Sequence, residues 1–108
     1  MRIDPLTLEL SPLPRHGNGQ LFLRGPIPWS WVLKAMSLPG RALHVATHLW
    51  FLAGIASNGI VAINLSRLSV DRSAASRGLA ALEAAGLVRV QRKPGRKPLV
   101  TILAALGI

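Results

Sequence analysis

The side chains with the clearest chemical use in this 108-residue chain are its cations. Arg67, Arg72, Arg77, Arg89, Arg92, Lys93, Arg96 and Lys97 lie between Asn64 and Pro98, where the only acids are Asp71 and Glu83. Six of the nine excess positive charges therefore fall in that third of the chain. Guanidinium and ammonium groups at this density neutralise phosphate, and the arginine fork matches O6 and N7 of guanine. Ser73 and Ser76 are interleaved with Arg72 and Arg77, and their hydroxyls suit base edges or phosphate oxygens. Lys93, Arg96 and Lys97 surround a Pro94-Gly95 turn. A charge run is ordinarily a solvated loop. Here it follows a second cationic segment, which points to a polyanion.

Other chemistries have few candidates. Without cysteine there is no disulfide, thiol nucleophile or cysteine-ligated zinc. Four acids and three histidines supply no carboxylate pair and no nucleophile–base–orienter set, so an enzyme is not expected. His44 and His48 stand four apart, one helical turn, but Val45-Ala46-Thr47 between them lacks the glutamate of a zincin and no third ligand is evident. They read as packing histidines, and neither a metal nor any other cofactor is expected. Trp29, Trp31 and Trp50 would stack bases in a single-strand binder. They lie in apolar segments away from most of the cations and read as core or subunit packing. Pro94-Gly95 is not a P-loop, because the G-x-x-x-x-G-K-[ST] frame is absent.

The elements that must position the cations follow from patterning. Hydrophobic residues make up 50% of the chain, enough for a core and too many for a disordered basic tail. Residues 1–28 hold five of the eight prolines and form a separate arm or hairpin, in which Leu6–Leu10 and Gln20–Arg24 flank His16-Gly17-Asn18-Gly19. The alternatives are pairing of those two runs or an extended arm lying on the domain formed by 29–108. Pro28 opens a helix Trp29–Met36 as its first residue, and Ser37-Leu38-Pro39-Gly40 breaks it. A second helix runs from near Pro39 to Ala56, with Leu43, Ala46, Trp50, Ala53 and Ser57 on its main stripe and Leu49, Leu52 and Ile55 beside it. Its apolar part, Ala42–Ala56, rises about 22 Å against a bilayer core of about 30 Å, so it reads as a buried helix and not a span. No signal peptide is recognisable, and a cytoplasmic, bacterial-type, nucleoid-associated protein is expected.

Ile60–Ile63 reads as a strand, and Asn64–Ser69 allows at most a short helix. Asp71 is placed to cap a helix Arg72–Ala85, which Gly86 ends. Leu87–Arg92 and Leu99–Leu103 are strands joined by a type II turn at Pro94-Gly95. Ala104–Ile108 is apolar and packs on the core or on a second subunit. The class is mainly α with a small β-sheet.

Val70 to Val88 resembles the segment from recognition helix to wing of bacterial winged helix-turn-helix regulators of the MarR-like and related families. Ser76, Arg77, Leu79, Leu82, Glu83, Gly86, Leu87 and Val88 fall on their shared S-R-x-L-x-x-L-E-x-x-G-L-V pattern, and the resemblance covers about residues 42–103. It implies a winged helix-turn-helix with a two-stranded wing, binding double-stranded DNA. The segment Leu65–Ser69 is shorter than the family's usual first helix of the motif. Periodicity agrees with the resemblance on its own terms. With Ala75 set towards the core at 100° per residue, Leu79 and Leu82 lie within about 40° of it, while Ser73, Arg77, Ala80 and Ala84 lie opposite. Small Ala80, Ala81 and Ala84 keep that helix slim enough for a major groove about 12 Å wide.

The residues expected on DNA are therefore Arg67, Arg72, Ser73, Ser76 and Arg77 around the helix, and Arg92, Lys93, Arg96 and Lys97 on the wing. One helix reads few base pairs, so a homodimeric transcriptional regulator on paired half-sites is expected. Two alternatives carry different chemistry: a winged-helix module docking an acidic protein partner, and a binder of single strands or RNA.

Overall fold

The computed structural model describes residues 2–3, 10–11, 13–68 and 70–104. Two-residue strands β1 (Arg2–Ile3) and β2 (Leu10–Ser11) pair antiparallel, Ile3 opposite Leu10. Helices α1 (Trp29–Met36) and α2 (Ala42–Ala56) follow, then strand β3 (Ile60–Ala62) and a 3-10 turn Leu65–Arg67. Helix α3 (Arg72–Ala84) and strands β4 (Val88–Gln91) and β5 (Leu99–Ile102) complete the order. The second sheet is antiparallel with strand order β3-β5-β4, and Val61, Val100 and Val90 form its central row. The architecture is α+β, three α-helices with a small three-stranded sheet.

The core forms where α2, α3 and the inner sheet face meet. Leu49 and Val45 from α2, Leu79 and Leu82 from α3, and Leu87, Val88 and Val100 from the sheet region are buried. Ala75, Leu79 and Leu82 face inward and Ser73, Arg77, Ala80 and Ala84 outward, as the periodicity of α3 requires. Helix α2 departs from the expected stripe. Its buried line is Ala42, Val45, Ala46, Leu49 and Ala53, while Leu43 and Ile55 are exposed. An almost wholly apolar helix has no polar face to reveal which side turns inward, so its rotation is set by its neighbours.

Several element ends and caps also differ from expectation. Strand β3 stops at Ala62, α3 at Ala84 and β5 at Ile102, and β4 spans only Val88–Gln91, since the terminal residues cap the helix or leave the ladders. Pro28 caps α1 from outside the helix instead of standing as its first residue, its carbonyl accepting from Val32 N at 3.3 Å. Helix α2 starts at Ala42, since Gly40 takes the left-handed conformation (φ 71°) and Arg41 is the non-helical cap. Gln20–Arg24 forms no strand and does not pair with Leu10, which is bonded to β1. The remainder of the Leu6–Leu10 run lies outside the described residues. From Gln20 to Pro28 the chain has no regular secondary structure, and Arg24 Cβ lies against Gly54 of α2. The apolar end, 105–108, also falls outside the described residues.

Gly78 fixes how closely α3 approaches α2. A Cβ there would stand 2.7 Å from the carbonyl carbon of Arg41 and 2.9 Å from Ala42 N, backbone atoms that no rotamer change can move away. Gly78→Ala is expected to force the helices apart and to cost about 1–3 kcal/mol, outweighing the gain in helix propensity. Urea denaturation of the variant measures this; a stabilised variant would mean that the contact is slack.

Among the tryptophans, Trp31 is buried and meets Trp50 edge to face, with ring centroids 5.5 Å apart. Of the two expectations for Trp29, core or subunit packing, the first does not hold: it is 65% exposed, because the inner face of α1 is the one carrying Trp31 and Ala35.

Candidate nucleic-acid interface

The start of α3 is set by Asp71. Its Oδ2 accepts from Ser73 N at 3.1 Å and Ala74 N at 3.3 Å, satisfying two of the amides that a helix start leaves free. This cap fixes which residues of the first turns face out. Arg72, Ser73, Ser76 and Arg77 are all exposed. Arg77 Nη1 donates to Ser73 Oγ at 3.3 Å, one turn back along the helix. Two of the residues expected to read bases thus stand together on the outer face, bonded to each other.

Beyond α3 the chain reverses through Gly86 (φ 78°) and enters the β4–β5 hairpin. Its turn has Gly95 at φ 72° and is closed by Arg96 N donating to Lys93 O at 3.1 Å, so proline and glycine hold the positions that a type II turn demands. Arg92 Nη1 lies 3.2 Å from Glu83 Oε1, tying the end of β4 to α3. The pair is exposed and contributes little to stability, but it neutralises one of the hairpin's cations.

Arg72 from the first turn of α3 and Arg92, Arg96 and Lys97 from the hairpin line one cleft of about 420 Å³. Its remaining wall includes Asn64, Ser66 and Pro98, and among the described residues no acidic one lines it. Four basic side chains from two elements therefore line a single groove, and Arg72, Arg96 and Lys97 have no ion-pair partner among the described residues. Like charges that share a groove repel, and an anion among them relieves that repulsion.

The nine expected residues do not all gather here. Lys93 lines a separate hollow of about 450 Å³ on the outer sheet side with Ala62, Gln91 and Leu99, shared by Arg96 and Lys97. Arg67 lies elsewhere, in a groove with His44 and His48. Asn64 and Ser66 were not among the expected residues, yet both line the cleft. Asn64 Oδ1 accepts from Ser66 N at 3.0 Å and caps the 3-10 turn. The Asn-x-Ser spacing after a strand was the available signal for that cap.

His44 and His48 are joined by no third metal ligand, and among the described residues no group of three or more His, Cys, Asp or Glu could hold a metal ion. Among the same residues, no helix is long and apolar enough to cross a membrane. No protein family, curated protein or solved structure matches this chain at a significant level of similarity.

Proposed function

We propose that the chain is a winged helix-turn-helix protein that binds double-stranded DNA as a homodimeric transcriptional regulator of the bacterial nucleoid. In this reading α3 enters the major groove and the β4–β5 hairpin is the wing. The element order from α2 to β5 and the strand order β3-β5-β4 support that assignment. The observation that carries it is the cleft lined by Arg72 of α3 together with Arg92, Arg96 and Lys97 of the hairpin; Ser73, Ser76 and Arg77 are exposed on the same helix. Helix and hairpin thus offer positive charge to the same place, as a duplex spanning both would require.

Affinity is expected to come mainly from phosphate neutralisation. With roughly five phosphates engaged, log K falls against log salt with a slope of about −4.5. A slope near zero on duplex DNA would remove the mechanism. Arg77→Ala is expected to relax sequence preference at one base pair and to cost about 1–3 kcal/mol there, while Lys97→Ala weakens all duplexes alike. Selection of bound sequences from a random duplex pool, repeated with each variant, reads both effects and the half-site symmetry of a dimer. The opposite pattern would reverse the two roles.

A protein-docking module is the second reading, and the outer sheet face favours it. Ile60 and Leu99 are exposed there, and Leu99 lines the hollow with Lys93. Such a module would leave random duplex unshifted in a gel while retaining an acidic protein partner.

A further inference from the structure

A second hollow, separate from the cationic cleft, is an open groove at the surface, where Leu23, Leu43, His44, Thr47 and Arg67 are all exposed. It has a volume of about 550 Å³ and lies between the arm, one face of α2 and the end of the 3-10 turn. That size is within the range of about 300–1,000 Å³ typical of small-molecule sites. Leu23 of the arm, Leu43 and Phe51 of α2, and Leu68 beyond the 3-10 turn give it apolar walls. Three nitrogen-bearing side chains break that surface: His44 and His48 on α2, and Arg67. Thr47 also lines it, but its hydroxyl donates to Leu43 O at 2.8 Å and is already committed.

The charge in the groove is one-sided. Among the described residues no acidic side chain lines it and the one ion pair is that of Arg92 with Glu83, so Arg67 has no carboxylate from them. The arm adds no charge of its own to the walls, since Arg24 packs over Gly54 and lies 5.7 Å from the Phe22 ring. An open, largely apolar groove that also presents a guanidinium and two imidazoles is complementary to a ligand with a hydrocarbon body and a single anionic head.

We propose that this groove binds a small amphipathic carboxylic acid, its hydrocarbon part against Leu23, Leu43, Phe51 and Leu68 and its carboxylate at Arg67 beside His44 and His48. The site needs no DNA and holds or falls independently of the duplex reading. It also gives Arg67 a role that the cationic cleft does not.

Burial pushes the His48 imidazole below its ordinary value of 6.5. A carboxylate beside it favours the charged ring, so binding takes up a proton and tightens as pH falls through that range. Among the described residues the basic side chains lining the groove are His44, His48 and Arg67, and no acidic one there opposes an anion.

The test is titration of the full chain with sodium octanoate, followed by NMR, with 1-octanol and acetate as paired controls. Octanoate is expected to saturate shifts at Leu43, His44, His48, Phe51, Arg67 and Leu68, and to bind about tenfold more tightly than either control. Binding at pH 6 should be about threefold tighter than at pH 8. Arg67→Gln, at an exposed position that leaves the core intact, should reduce octanoate to the level of 1-octanol. Leu23→Asn, on the exposed arm, should weaken octanoate and 1-octanol alike. Equal affinity for acetate and octanoate, shifts centred on the hairpin, or an unchanged Arg67→Gln variant would each overturn the proposal.

Discussion

Replacing Arg96 and Lys97 together by glutamine is expected to weaken duplex binding about sixtyfold at 0.1 M salt. Each phosphate contact contributes about 0.9 to the slope of log K against log salt, hence about 0.9 decades of affinity at that concentration. Two lost contacts reduce the slope from about −4.5 to about −2.7. Both side chains are exposed and line the cleft with Arg72, so the fold is expected to be unchanged. Fluorescence anisotropy on one labelled duplex, from 0.05 to 0.3 M salt, gives affinity and slope in a single experiment. An unchanged slope would mean that these cations meet no phosphate. Arg92 should matter less, because its charge is already answered by Glu83 at 3.2 Å.

Trp31→Ala is expected to cost about 3–5 kcal/mol of folding stability. The indole is 1% exposed, meets Trp50 edge to face and donates from Nε1 to Leu103 O at 2.9 Å. It therefore joins α1 to the chain just beyond β5 as well as filling the core. At about 0.05–0.15 kcal/mol per residue, a domain of this size has little margin for such a loss. Trp31→Phe retains an aromatic ring and removes the hydrogen bond, so about 1 kcal/mol of the effect belongs to the bond, with a further loss from the smaller ring. Chemical denaturation of the three proteins separates the two contributions. A loss below about 1 kcal/mol for Trp31→Ala would show that α1 contributes little to the folding unit.

Helices α1 and α3 could be read from local chemistry. Pro28 marks the entrance to α1, Asp71 starts α3, and Gly86 in the left-handed region ends it. Around the α3 axis, polar and apolar residues alternate with a clear period, so its inner and outer faces follow without tertiary information. The β4–β5 hairpin was equally legible, because Pro94-Gly95 suits one turn type and β-branched residues flank it.

For the candidate site, composition located the charge but not its partition. Arg72, Arg92, Arg96 and Lys97 share one cleft, Lys93 lines the outer sheet hollow, and Arg67 joins the histidines. Sequence spacing carries no information about which of two faces a long, flexible side chain will line.

Caps, turn residues and charge act over a few neighbours, so the limits of α3, its outward Ser73–Arg77 edge and the concentration of cations after Asn64 are legible along the chain. The rotation of α2, the close approach at Gly78 and the division of the cations among separate hollows arise on folding. Each of these depends on atoms far apart in the chain: an apolar helix turns according to what packs against it, and a glycine contact exists only once two backbones meet.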